Sequence, residues 1–273
     1  MFRKTGHPVA PVLLAGEAIP HMNTYRSSSH SLFLALLIAI LGTSSAIIPL
    51  RAEDHGTTPA DPRRESPDAA LAALKAGNER FLSGNTTAHL DAFSKVAKTA
   101  SNQYPIACVF ACADSRTPPE AIFDLGIGEL FVCRVAGVAS GVNDEASLEY
   151  GTAVLGAPLV VVMGHKNCGA MKAAIAGKPL PGALPKLMDQ ILPAVKRAEA
   201  EYPHADAATL LAAATREQVM AEVRHLLKSP VIAEQVASGK LKIVGAIYSI
   251  EDGKIEWLGE SPDQAAILKK EHR

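Results

Sequence analysis

Two apolar runs, PIACVFAC over 105–112 and PLVVVMG over 158–164, each end in residues that bind metals. The first leads into CADSR, with Cys112, Asp114 and Arg116; the second leads into GHKNCG, with His165 and Cys168, about fifty residues further on. Two thiols, an imidazole and a carboxylate are ligand types that zinc prefers, and four such groups complete one tetrahedral site. A fold that gathers them must lay the ends of two strands side by side. Taken singly, each residue has an ordinary use: a buried Cys is a small apolar side chain, and Asp with Arg two positions on is a solvated pair. Their joint placement at two strand ends is what points to a metal. A closed structural zinc site would use all four ligands. Arg116 argues against that, because its guanidinium offers the Asp114 carboxylate a bidentate partner that competes with the metal.

The local pattern says how the ends could meet. Residues two apart at a strand end point to the same side, so Cys112, Asp114 and Arg116 can converge. His165 and Cys168 fall on a strand-to-helix turn before GAMKAAIAG, which puts Cys168 at a helix N-terminus, where the dipole favours a thiolate. Ser66-Pro67-Asp68 is a helix start, with Ser as N-cap and Pro at the first helical position, and DAALAALKAGNERFL then carries one apolar face. Strands at 105–111, 130–135 and 159–163 alternate with helices near 118–123, 144–156 and 169–176. Alternation of this kind predicts parallel strands joined by crossover helices. Helices follow at about 186–201 and 207–228, then the strand LKIVGAIYSI, and Asp252-Gly253 marks a hairpin into KIEWLG. The expected fold is α/β: about four parallel strands plus an antiparallel edge strand, flanked by helices, with an N-terminal helical arm. In such sheets sites form at the carboxyl ends of strands.

CADSRTPPE, DLGIGELFVCRVAG, SLEYG and VVVMGHKNCGAM, in this order between Ser66 and Gly259, closely resemble the β-class carbonic anhydrases. The resemblance implies zinc-dependent, reversible hydration of carbon dioxide to bicarbonate and a proton. It implies one Zn2+ per chain, bound by Cys112, His165 and Cys168, with a fourth position shared between water and Asp114, and with Arg116 holding Asp114 off the metal. It also implies substrate contacts from Gln103, across a subunit boundary, and from Phe131, Ala136, Tyr150 and Gly169. Ala136 is smaller than the aliphatic residue common at its position. Val109 stands where a bicarbonate-inhibited subgroup carries Trp, so that regulation is not expected, although Arg134 is retained. In the resembled family the N-terminal helix packs across the partner subunit, which implies a homodimer or higher even oligomer. Two alternatives stay open: hydrolysis of carbon disulfide or carbonyl sulfide on the same scaffold, and non-catalytic zinc or bicarbonate binding. A thiol redox role for Cys108 and Cys112 is disfavoured, since C-x-x-x-C is not the redox spacing.

Composition bounds the rest. The chain has 273 residues, 48% of them hydrophobic, enough for one full core, and a formal net charge of −1 without a basic run, so nucleic acid is not an expected partner. Residues 1–52 read as a leader and signal peptide. The apolar stretch Ser31–Gly42 follows Arg26 and precedes the small-residue cleavage sites Ser44-Ser45-Ala46 or Ala52. It is shorter than the ~20 residues of a membrane span, so no stable span is expected in the mature form, an uncleaved anchor being the alternative. Met22 is an alternative start. Residues 53–65 read as a linker and 66–273 as the catalytic domain, exported to a periplasm or outside the cell. With two of the four Cys assigned to metal, Cys108 and Cys133 are expected as buried free thiols.

Overall fold

A computed structural model describes residues 60–88 and 92–271. The signal peptide, its cleavage sites and most of the expected linker lie outside the described residues. The elements are α1 (Pro67–Ser83), α2 (Ala92–Lys98), β1 (Ala107–Ala111), α3 (Pro119–Ile122), β2 (Leu130–Arg134), α4 (Val142–Glu149), β3 (Leu159–His165), α5 (Gly169–Ala176), α6 (Leu184–Glu201), α7 (Ala207–Leu226), α8 (Pro230–Ala237), β4 (Lys242–Tyr248), β5 (Ile255–Gly259) and α9 (Gln264–Glu271).

The five strands form one sheet in the order β2-β1-β3-β4-β5. The first three pairings are parallel and β4–β5 is antiparallel, as the alternation and the Asp252-Gly253 turn predict. Gly253 takes the left-handed conformation of that turn (φ 75°), which favours a residue without Cβ. From β1 the chain goes by α3 to β2 on one side, whereas from β3 it goes by α5–α8 to β4 on the other. The carboxyl ends of β1 and β3 therefore flank a crevice, the switch point at which open parallel sheets bind ligands.

Both faces of the sheet are covered, which is why the central strands are apolar throughout. Cys108, Phe110, Val160 and Val162 pack under Met171, Ile191, Val219 and Val223 of α5, α6 and α7. Val109, Val161 and Met163 face the opposite side, with Leu74 of α1, Ile122 and Phe123. Ser66 caps α1 by accepting from the Ala69 N–H, as its sequence signature predicts.

Some expectations need adjusting. The helix expected over 144–156 is α4 followed by a π-helical turn, Tyr150–Val154. There the backbone of Gly151 comes so close to β1 and β2 that an added Cβ would lie 2.5 Å from Cys108 Sγ. Pro62–Arg64 at the end of the expected linker is a 3-10 turn anchored by Arg63 to Glu129 at 2.7 Å and by Arg64 to the Leu155 carbonyl at 2.8 Å. Cys108 and Cys133 are free, but Cys133 is only half-buried, because it lies on the edge strand β2. The helices α2, α8 and α9 lie outside the sequence expectation, although Ser229-Pro230 repeats the Ser-Pro start seen at α1.

Candidate metal centre

Among the described residues, one group of metal-ligand side chains comes together: Cys112, His165 and Cys168, all buried, with ligand atoms within 4.8 Å of one another. Cys112 directly follows β1, His165 is the last residue of β3, and Cys168 caps α5. The two strands are hydrogen-bonded neighbours, so their ends meet at the switch point. Asn167 makes the tight turn between the two later ligands in a left-handed conformation (φ 59°), which Asn tolerates, and its side chain donates to Glu251 at 3.1 Å.

The donor chemistry fits a divalent cation. His165 is 1% exposed; its Nδ1 lies 2.9 Å from the Lys166 carbonyl, which selects the tautomer with the proton on Nδ1 and leaves the Nε2 lone pair free. That Nε2 has no hydrogen-bond partner, an expensive arrangement for a buried polar atom unless a ligand takes the lone pair. The sulfurs of Cys112 and Cys168 are 4.0 Å apart. The Cys168 thiol favours the Cys112 thiolate, as do His165 and the backbone N–H groups of Asp114 and Gly137, so Cys112 is pulled well down. Its negative charge, together with burial, then pushes Cys168 up. Two adjacent thiolates are mutually repulsive on their own, and a cation between them removes the conflict.

Asp114 stands beside this trio, outside it. Its Oδ2 is 3.8 Å from His165 Nε2, while Arg116 donates from Nε to Oδ1 at 2.9 Å and from Nη2 to Oδ2 at 2.7 Å. The Arg116 guanidinium holds the Asp114 carboxyl well below the usual carboxylate range. Beneath the pair, Arg134 donates to the carbonyls of Cys112 at 2.9 Å and Asp114 at 2.5 Å, and the buried Thr117 hydroxyl donates to the same two carbonyls. Sequence reasoning noted Arg134 only as a retained regulatory residue and did not find this clamp. No local signal marks it, because Arg134 reaches the loop only through the parallel pairing that sets it opposite Ala111.

The expected substrate-contact residues divide into two groups. Ala136 and Gly169 adjoin the cluster, next to Gly137 and Cys168. Gln103, Phe131 and Tyr150 do not reach it within this chain. Phe131 pairs with Cys108, three register steps and roughly 10 Å along the strands from Arg134. It stacks at a tilt on Tyr150, ring centroids 6.2 Å apart. Tyr150, 46% exposed, lines a separate cavity of about 400 Å³ together with Gln103.

A carbonic anhydrase family model matches residues 107–255, from the start of β1 to the start of β5 and across both ligand segments. Carbonic anhydrase 2 of Mycobacterium tuberculosis is 37% identical over 204 residues, covering 69% of this chain and 91% of that one. This chain belongs to the β-class carbonic anhydrases. Among solved members, the Coccomyxa β-carbonic anhydrase, studied in complex with acetazolamide, superposes with a TM-score of 0.60 at 26% identity, covering 73% of this chain and 95% of that one. A tetrameric β-carbonic anhydrase of Sordaria macrospora superposes with a TM-score of 0.54 at 26% identity, covering 70% and 96%. The chain is thus a carbonic anhydrase enzyme, and the family's general activity, hydration of carbon dioxide, comes with membership. The phrases CADSR and GHKNCG, which carry the resemblance in the sequence, are the ones that close around the buried trio.

Proposed function

We propose that this carbonic anhydrase hydrates carbon dioxide reversibly with one zinc ion per chain, held by Cys112, His165 and Cys168, and with Asp114 and Arg116 as a gate beside it. The observation that carries this reading is the unpartnered, buried Nε2 of His165, facing two close sulfurs while Asp114 is turned to Arg116. Zinc at this position would supply Lewis acidity, lowering the pKa of water so that a nucleophile exists near neutral pH.

The chain's own groups do the rest. Asp114, kept ionised by Arg116, is an acceptor only, so it can take a hydrogen bond from the attacking water and orient it. Arg116 holds the carboxylate away from Cys112, His165 and Cys168, so that an ion bound there would remain accessible to water. Arg134 and Thr117 fix the carbonyls on either side of Ala113 and so the spacing from Cys112 to Asp114. Ala136 and Gly169, both small, leave room at the mouth for a three-atom substrate.

A homodimer or higher even oligomer would complete the site. Gln103, Phe131 and Tyr150 sit too far from their own cluster to touch its substrate, and from a second copy they could line its entrance. The free edge of β2 and the exposed apolar residues Phe93, 91% exposed, and Val96 on α2 support such an assembly. The mature enzyme is exported after cleavage at Ala46 or Ala52, a reading that rests on the leader pattern alone; among the described residues no helix is long and apolar enough to cross a membrane. N-terminal sequencing of the processed protein from a periplasmic or extracellular fraction tests it.

Stopped-flow assays on metal-analysed protein test the activity, with carbon dioxide, carbonyl sulfide and carbon disulfide compared side by side. Turnover confined to carbon dioxide, with one zinc per chain, is expected. Preference for a sulfur-bearing gas, or zinc-loaded protein inert toward all three, would overturn the reading.

A further inference from the structure

Behind the metal ligands, α7 sends two buried polar side chains toward the loop after β2. Gln218, 2% exposed, donates from Nε2 to the Val138 carbonyl at 3.0 Å and to Oε1 of Glu222, one helical turn on, at 3.0 Å. Glu222 accepts on its other oxygen from Ser140 Oγ at 2.5 Å. The helix therefore grips the segment 136–140 at two points. That segment is in an unusual conformation: Gly137 and Val138 both have positive φ, 72° and 55°. For a β-branched residue such as Val138 this is an outlier that persists only where its surroundings hold it. At the apex of the turn the Gly137 N–H donates to Cys112 Sγ at 3.3 Å. Only a void of about 10 Å³, at the lower limit of what a single water needs, lies between Gln218 and Val138 on one side and His165 and Cys168 on the other. Burying a carboxyl is costly unless its contacts are made, and the side-chain hydrogen bonds of Glu222 come from Ser140 of this loop and from Gln218, with the His225 imidazole as a further electrostatic partner.

We propose that Gln218 and Glu222 are positioning residues for the reaction: they hold loop 136–140 in its left-handed turn and so keep the Gly137 N–H on the Cys112 sulfur. The inference rests on reading Cys112 as a metal ligand. A hydrogen bond to a thiolate draws electron density from the sulfur and makes it a weaker donor to a cation. The grip offsets part of the extra charge that two thiolates bring, and it fixes Ala136 at the substrate mouth by the same means.

Three variants test the grip in the purified, metal-analysed protein: Gln218→Met, Glu222→Leu and Glu222→Gln. The first has similar bulk without the amide. In the last, the Ser140 hydroxyl can rotate to accept from the new amide, so the network survives. Amide hydrogen exchange is read over 135–140 and, as a control, over α8. In Gln218→Met and Glu222→Leu, exchange at 135–140 should quicken on the order of fivefold, the loss of one hydrogen bond to the loop, with α8 unchanged. In the Co2+-substituted protein the sulfur-to-metal charge-transfer band should move to lower energy in these two variants and stay put in Glu222→Gln. Unchanged exchange at 135–140, an equal rise in α8, or Glu222→Gln behaving like Glu222→Leu would overturn the proposal. Should Cys112 not be a ligand, metal analysis and the missing charge-transfer band would show it, while exchange at 135–140 would still report the grip.

Discussion

Gly137→Ala should destabilise the loop over the metal ligands by an amount the geometry sets. A Cβ at this position would stand 2.5 Å from Ile191 Cδ1 and 3.1 Å from Ala170 Cβ, on a backbone at φ 72°. The left-handed conformation costs an L-residue roughly 1–2 kcal/mol. Overpacking adds about 1 kcal/mol, the low end of its range, because Cδ1 is the far end of a side chain that can turn away. The total, about 2–3 kcal/mol, corresponds to a fall in Tm of roughly 4–12 °C for a domain of this size. Thermal unfolding followed by circular dichroism, at saturating zinc for every variant, measures it. Ile191→Val removes the atom in question and should itself cost about 0.5–1.5 kcal/mol. The double variant should then lose about 1 kcal/mol less than the sum of the two, since the contact with Ile191 Cδ1 is gone while the backbone penalty and the milder Ala170 contact remain. If Gly137→Ala melts with the parent, the turn is not left-handed. If the two losses add in full, Ile191 is not what the new Cβ meets.

Cys168→Ala should lose both zinc, by elemental analysis, and carbon dioxide hydration; full zinc occupancy in this variant would exclude the site. Arg116→Ala should keep its zinc while neutral-pH turnover falls sharply. Without the guanidinium the Asp114 carboxyl returns toward its ordinary pKa and is free to close on the cluster 3.8 Å away, so normal turnover in this variant would leave Arg116 a mere surface charge. Asp124→Asn should lower Tm in a pH-dependent way. Burial raises this carboxyl, but the Ala88 N–H, the Arg80 guanidinium and the Thr87 N–H outweigh that and hold it from 3.8 down to about 2. A depressed folded pKa means stability that is present above 3.8 and lost as pH falls toward 2, so the parent's advantage over Asp124→Asn should be constant at neutral pH and shrink through that acid window. A pH-independent difference would place the effect elsewhere.

The sequence by itself determined the strands, their order of appearance and the residues of the candidate metal site. Apolar runs such as PLVVVMG can satisfy their side chains only in a sheet covered on both faces, and Ser66-Pro67 or Asp252-Gly253 act through neighbouring backbone alone. Cys112, His165 and Cys168 were readable because each sits at the end of such a run, where its direction follows from local geometry. Other features depended on pairing between distant segments. That β3 adds beside β1 and not beside β2 puts the two candidate ligand segments at a switch point, and the β1–β2 register places Arg134 over the Cys112 and Asp114 carbonyls. In the π turn at Tyr150, Gly151 runs so close to Cys108, a residue more than forty positions earlier, that a Cβ would not fit. Gln218 and Glu222 look like ordinary polar positions of an Ala-rich helix until α7 packs against the loop at Gly137. Local pattern reports what a residue does to its own backbone; the roles of Arg134, Gln218 and Glu222 are exerted on the backbone of another segment, and only the tertiary structure brings that segment within reach.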